Sequence, residues 1–524
     1  MFWAERIAGE IVERYKGRKG AIVIRDEKTV SGRVHIGSMR GVAIHGAVAE
    51  ILTEQKVQNV FRFEMNDFDP MDDIPLYLPR EQFEQYLGLP LKGVPSPEPN
   101  ALSFAEYFAD DFKSAIAHAG FLPEYSWASD LYLSGNMDTV ITEALGSAEK
   151  IRAIYKEVSG SQKEGEWLPL SVLCPTCGKI STTEASDFDG KTVVVHCREH
   201  KVEYTKGCGF YGRVSPFGGK AKLPWKVEWA AKWKVGGVLV EGAGKDHSTR
   251  GGSRDVANHI SKEVFNYEPP FDIPYEFLLA GGKKMSSSKG RGSSAKEISD
   301  LVPTKILRLA LLGKDINQQI NFDPDGDTIP VLYDQYDKLA ENFWAGTKDD
   351  YARLFELIHF PRNLPPSVFL QRFSQVAFMV QMPHLEVEAE VEKIKGSPLT
   401  TEDKTELKER ILYAKKWLAE YAPEKFVYEL QNTLPDAAKS LSDAQKKALG
   451  ELLLYMEMRP QMPSGEELHK KLHEIKETQG IAPSELFKSI YLIFLGKTHG
   501  PQAGWFLSAL ERDFVLKRIK EASI

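Results

Sequence analysis

The chain has 524 residues, 42% of them apolar and 27% charged, a composition ordinary for a soluble globular protein and a length that calls for three or four domains. No apolar run is long enough to span a bilayer, and residues 1–19 mix charges of both signs without the apolar centre of a secretory signal, so a cytoplasmic protein away from membranes is expected. The formal charge of −7 gives no global sign of nucleic acid, although a local basic face suffices to bind it.

In chain order, residues 3–16 read as an amphipathic helix and Ala21-Ile22-Val23-Ile24 as a buried strand. A loop through Ser31-Gly32 leads into a helix over about 35–55, and Val57 to Met65 reads as a second strand ending at Asn66-Asp67-Phe68-Asp69-Pro70. Strand, helix, strand is the βαβ unit of a parallel sheet. A Pro-rich irregular insertion covers about 71–100, and helices are expected over 103–120 and 136–158. Residues 166–220 contain Gly, β-formers and all four cysteines. Val235 to Val240 reads as a further core strand, and from about 330 onward helical periodicity dominates, with charged faces at 402–421 and 437–457.

The cysteines read Cys174-Pro-Thr-Cys177, then Cys197-Arg-Glu-His200, then Cys208. In a long chain of this type such clustering points to metal rather than disulfides. The spacing suits one tetrahedral structural zinc held by Cys174, Cys177, Cys197 and a fourth ligand, Cys208 or His200; Cys208 is favoured because four thiolates close the site.

Two short segments carry chemistry. Ser31-Gly32-Arg33-Val34-His35-Ile36-Gly37-Ser38 sits where a strand exits into a helix, the place where α/β sheets bind ligands and where free N–H groups favour phosphate. Gly32 and Gly37 let backbone approach a ligand, and His35 and Ser38 can donate to phosphate oxygens; a capped helix with a surface histidine is the competing reading. Lys283-Lys284-Met285-Ser286-Ser287-Ser288-Lys289-Gly290, after Gly281-Gly282, suits charge developing on phosphate. Read alone it is a solvated basic loop, within a basic stretch that continues through Arg291, Lys296, Lys305, Arg308 and Lys314.

The ordered pair resembles the HIGH and KMSKS signatures of class I aminoacyl-tRNA synthetases. It departs from them at Ser38, where the signature has histidine, and at Ser287, where it has lysine; Lys289 is the replacement. Further segments resemble the class I lysyl type: Thr29-Val30-Ser31-Gly32, Lys222 to Trp229, Glu241 to His247, Met285 to Gly290, Tyr491 to Lys497 and Gly500 to Gly504. The resemblance implies an α/β fold: a Rossmann-type parallel-sheet catalytic domain with a zinc-binding insertion, followed by an all-α anticodon-binding region. The boundaries expected are 1–165 and 221–300 for the two Rossmann halves, 166–220 for the insertion, 301–380 for a stem-contact linker and 381–524 for the anticodon-binding domain.

It also implies ATP with Mg2+, L-lysine and tRNA(Lys) as partners of a monomer, with two steps: lysyl-adenylate formation with release of pyrophosphate, then transfer to the terminal ribose. His35, Ser38, Lys284 and Lys289 would be catalytic; Gly32, Gly37, Asp246, Met285, Ser286 and Ser288 would hold ATP; Thr29, Trp225 and His247 would line the lysine pocket. Trp225 can cover the lysine stem or offer a cation–π face, although Trp225, Trp229 and Trp233 at a spacing of four also fit a core-facing stripe. Glu27, Glu241 and Asp246 are candidate partners of the substrate's side-chain ammonium, and Asp67 and Asp69 either face its α-ammonium or are turn residues. The rivals are a class I synthetase for another amino acid, glutamate first, and a non-catalytic relative that binds tRNA or a nucleotide.

Overall fold

A computed structural model describes residues 1–280, 294–359, 363–382 and 385–523. The chain forms two compact units, Met1–Asp323 with Ala345–Leu364, and Pro324–Trp344 with Pro365–Ile524. Residues 301–380 are therefore divided between the two units.

In the first unit, helix α1 (Trp3–Arg14) buries Trp3, Ile7 and Ile11 on one face. Strand β1 (Ile22–Thr29), helix α2 (Met39–Glu54) and strand β2 (Asn59–Asn66) make the expected βαβ unit, with Ile22 opposite Asn59 and Thr29 opposite Asn66 in parallel register. Helix α3 (Phe104–His118), capped by Ser103 accepting the Glu106 N–H, leads to β3 (Glu124–Trp127), which pairs parallel to β2. The span expected as one helix over 136–158 is two, α4 (Asp138–Gly146) and α5 (Ala148–Ser159).

The cysteine-bearing insertion enters and leaves through an antiparallel pair, β4 (Ser171–Val172) with β8 (Ala221–Lys222). Between them β5 (Thr183–Ser186), β6 (Val193–Cys197) and β7 (Tyr211–Val214) form an antiparallel sheet. Helix α6 (Trp225–Gly236) follows and ends at Gly237, whose φ of 60° is the left-handed cap that glycine accepts without strain. Val235 thus lies in the last helical turn and not in a strand, a correction to the expected span 235–240; its β-branched neighbourhood was outweighed by the glycine stop two residues later. Only Val238 onward is extended: Leu239 N–H donates to Val23 O (2.9 Å) and Arg25 N–H to Val240 O (2.9 Å).

That segment extends the parallel sheet past β1. Val240 bridges Ile24 on one side and Phe271 on the other, and β9 (Ala243–Gly244) pairs with β10 (Pro274–Tyr275). Strand β1 is central, with β2 and β3 on one side and the later segments on the other. The chain order switches beside β1, and an open sheet leaves its crevice there, at the carboxyl ends of the strands.

Every regular element described in the second unit is helical. Its interior holds Tyr333 stacked on Phe373 (centroids 4.0 Å apart) and buried Trp417. Buried Arg410 is held by Asp337 (2.5 Å) and Glu406 (2.8 Å). The charged faces expected at 402–421 and 437–457 belong to the helices Thr401–Glu420 and Asp443–Glu457. Capping boxes at Ser442 and Ser464 set two starts in this helical run. Among the described residues no helix is long and apolar enough to cross a membrane.

Candidate active site

Central parallel strands are ordinarily apolar throughout. Strand β1 begins that way, with Ile22 and Ile24 buried, and then runs Arg25-Asp26-Glu27-Lys28 toward its exit. Alternation sends Arg25 and Glu27 to one face and Asp26 and Lys28 to the other. So many charges in a central strand are tolerated only where they are paired or meet a ligand.

Both conditions occur. On one side Arg25 pairs with Glu27 (2.6 Å), Glu64 (3.2 Å) and Glu241 (2.7 Å). Lys232, projecting from α6, meets Glu64 (2.5 Å), Glu27 (3.3 Å) and Glu228 (3.4 Å). Lys222 joins through Glu228 (2.5 Å) and Asp69 (3.0 Å). The Glu241 carboxylate accepts the indole N–H of Trp229 (3.0 Å) and of Trp233 (2.5 Å). Burial pushes the Glu241 pKa up despite Arg25 beside it. Three cations against five carboxylates leave this network short of positive charge.

Above it lies a cavity of about 340 Å³, in the range of small-molecule sites. Its wall includes Asp26, Glu27, Lys28, His35, Gly37, Ser38, Trp225, Trp229, Glu241, His247, Tyr275 and Phe277. Residues Ile36–Ser38 form a 3-10 turn that runs directly into α2, so the start of that helix faces the cavity. A Cβ at Gly37 would lie 2.8 Å from His35 Nδ1 and 3.0 Å from the Leu278 carbonyl oxygen, so any other residue there would crowd both. Gly32 sits at a φ of 152°, again a glycine conformation. The tryptophans grade along α6: Trp233 is fully buried, Trp229 nearly so, and Trp225 is 46% exposed. Trp225 stacks on Trp229 (5.7 Å, 24°), and His247 stands edge-on to both. The stripe is therefore core at one end and cavity wall at the other.

On the Asp26 face, buried His45 places Nδ1 2.7 Å from the Gly41 carbonyl, and its Nε2 accepts the Gly242 N–H at 2.7 Å. Burial lowers the pKa of this ring, but Asp26, 3.5 Å away, the Gly41 carbonyl and Glu241 together raise it above the ordinary value. An imidazolium would nonetheless forfeit the Gly242 bond, since Nε2 would then carry a proton. The hydrogen bonds fix a neutral ring with its proton on Nδ1.

In the insertion, the four cysteine sulfurs lie within 4.8 Å of one another. Cys174 and Cys208 are 3.5 Å apart and Cys177 and Cys197 3.8 Å. Tetrahedral zinc with bonds of about 2.3 Å sets sulfurs about 3.8 Å apart, so the donor set and spacing fit such an ion. Cys208 completes the group, whereas His200 points to solvent beside Glu199.

The sequence comparisons agree with this geometry. The family model for class I (K) tRNA synthetases matches residues 1–360, and an anticodon binding domain model matches 386–523. A lysine–tRNA ligase of Methanosarcina barkeri is 32% identical, covering 99% of this chain and 97% of its own. Lysine–tRNA ligases of Archaeoglobus fulgidus (30%, all of both chains) and Methanocaldococcus jannaschii (31%, 99% of each) are similar over the same extent. The chain belongs to the class I (K) tRNA synthetases.

For a synthetase of this family, the structure gathers His35, Gly37, Ser38, Trp225 and His247 around one cavity. It does not bring Thr29 to that wall: the Thr29 hydroxyl donates to Asp69 (2.7 Å). Asp67 is buried and accepts the Ser129 N–H (2.9 Å) and hydroxyl (2.7 Å), so both aspartates act as turn and framework residues. Asp246 lies in the helical turn Lys245–Ser248, beside the cavity residue His247 and outside the wall itself. Lys283, Lys284, Met285, Ser286, Ser287, Ser288, Lys289 and Arg291 lie outside the described residues. The rest of the basic stretch is not one bare face, since Arg308 is buried against Glu50 (2.6 Å) and Lys296 pairs with Asp300. Sequence reasoning missed Asp26, Lys28, Arg40, Tyr275 and Phe277. The signal present was the four-residue charged run in a strand otherwise read as core.

Proposed function

We propose that the protein is a lysine–tRNA ligase, and that its cavity binds lysine and ATP side by side. Full-length identity of 30–32% to lysine–tRNA ligases carries this reading. The acid-rich cavity floor fits it, because a ligand with two ammonium groups offsets the network's deficit of positive charge.

The lysine carboxylate attacks the α-phosphorus of ATP, and the bond to pyrophosphate breaks. The terminal ribose hydroxyl of tRNA then attacks the acyl carbon and AMP leaves. No protein nucleophile is needed. The start of α2, with His35 and Ser38, stabilises phosphate charge; Lys284 and Lys289 supply cations; Asp246, Met285, Ser286 and Ser288 hold the nucleotide. Mg2+ offsets the charge of the ATP phosphates. Trp225 and His247 wall the substrate. Charging of unfractionated tRNA with labelled lysine, leaving a lysine acceptor fraction saturated, tests the assignment; no incorporation from lysine with incorporation from another amino acid refutes it.

Cys174, Cys177, Cys197 and Cys208 hold one structural zinc. We expect no second site in 94–108, a stretch without cysteine or histidine whose Glu106 accepts the Leu102 N–H (2.6 Å). Protein loaded with zinc and desalted is expected to retain about one equivalent, and Cys174→Ser none. Two tightly held equivalents contradict this, as does none in the parent protein.

A further inference from the structure

We infer that Asp26 is the residue that recognises the side-chain ammonium of the substrate, with the Tyr275 hydroxyl beside it. This rests on the lysine assignment above and names the group that enforces it.

Three carboxylates line the cavity: Asp26, Glu27 and Glu241. Two are already committed. Glu241 is tied to Arg25, Trp229 and Trp233, and Glu27 to Arg25 and Lys232. Asp26 differs. Its Oδ1 accepts the adjoining Glu27 N–H (2.8 Å), and among the described residues no lysine or arginine nitrogen comes within 4.0 Å of its carboxylate. Its one charged-type neighbour at that range, His45, is held neutral by its two backbone bonds. Arg40 on α2 also lines the cavity, but it gives Nη1 and Nη2 to the carbonyls of Leu311, Lys314 and Asp315 and has no contact within 4.0 Å of the Asp26 carboxylate; its Nε has no hydrogen-bond partner. Lys28 shares the face of β1 and is near enough for its charge to act on Asp26, but the two make no contact within 4.0 Å. A carboxylate in this setting has no direct ion pair with a lysine or arginine, and a substrate ammonium supplies one.

The surroundings are shaped for it. A Cβ on Gly41 would lie 2.6 Å from Asp26 Oδ2 and 2.7 Å from the Tyr275 hydroxyl. The two oxygens thus pack side by side against the Gly41 backbone of α2, which makes room for them by having glycine there, and both residues line the cavity. An ammonium has three donors and needs several acceptors in such a place. Carboxylate and phenol oxygen together discriminate against an analogue that has a methyl there, because that analogue leaves them unpaired.

The test compares lysine with 2-aminoheptanoate, in which a methyl replaces the ammonium, in adenylate formation by the full-length enzyme with tRNA supplied. Asp26→Asn is expected to raise the lysine KM about 100-fold, with kcat changed less and with activation of 2-aminoheptanoate nearly unaltered. Asp26→Glu keeps the charge and lengthens the side chain by one methylene, so it shifts preference from lysine toward the shorter ornithine. If Asp26→Asn depresses both amino acids equally, or leaves the lysine KM unchanged, the inference is overturned. Should that variant not fold, Asp26→Glu decides: an unaltered chain-length preference refutes the role. A parent enzyme that does not activate lysine at all refutes the lysine assignment instead.

Discussion

Replacing His35 by alanine is expected to lower the rate of lysyl-adenylate formation about 100- to 1000-fold, with the lysine KM held within about threefold. The imidazole lines the cavity immediately before the 3-10 turn that opens α2. There it adds to the helix-start N–H groups at the place where charge grows on the phosphates during attack. An interaction made mainly in the transition state appears in kcat and not in ground-state binding. Lys284→Ala should behave in the same way, Lys289→Ala should be intermediate and Ser287→Ala nearly silent. Single-turnover adenylate formation at saturating ATP separates these terms. A loss carried by lysine binding in His35→Ala would move the phosphate site away from the start of α2.

The second large effect is structural. Lys232→Met is expected to destabilise the catalytic unit by about 3–5 kcal/mol, the usual cost of leaving a buried charge network uncompensated. Lys232 is 1% exposed and touches Glu27, Glu64 and Glu228. Burial alone would lower its pKa, but those carboxylates more than reverse this and hold it above the ordinary lysine value. Glu27 is the mirror case: burial pushes it up, while Lys232 and Arg25 bring it well below the usual 4.5. The signs follow. The stability from Lys232 is complete below the ordinary lysine pKa and is lost only as pH rises through the raised value. That from Glu27 is complete above about pH 4.5 and is lost as pH falls through the lowered value. The difference between parent and variant should therefore be flat near neutrality and shrink in acid. Urea unfolding followed by tryptophan fluorescence measures it, since Trp229 and Trp233 adjoin the network; a change under about 1 kcal/mol would show that the network carries little.

The legible parts of the site were those encoded by neighbours in sequence. His35 and Gly37 announce themselves because a glycine-flanked turn joins a strand to a helix. The four cysteines do so because C-x2-C spacing is local. What stayed hidden depends on partners far along the chain. Whether Asp26 or Glu241 is committed follows from which of Arg25, Lys232, Trp229 and Trp233 reaches it, and these span more than two hundred positions. Tyr275 lies in a two-residue strand, too short for any periodicity. Thr29 was drawn from the pocket by Asp69, forty residues on. The charged run in β1 was the one hint of the rest, and reading strands by their apolar half alone passes over it.

The most direct test is pyrophosphate exchange into ATP, with tRNA present, across the twenty amino acids. Exchange with lysine alone is expected, and a parallel run without tRNA shows whether activation depends on it. Exchange supported by glutamate or any other amino acid, with lysine inert, would contradict the account.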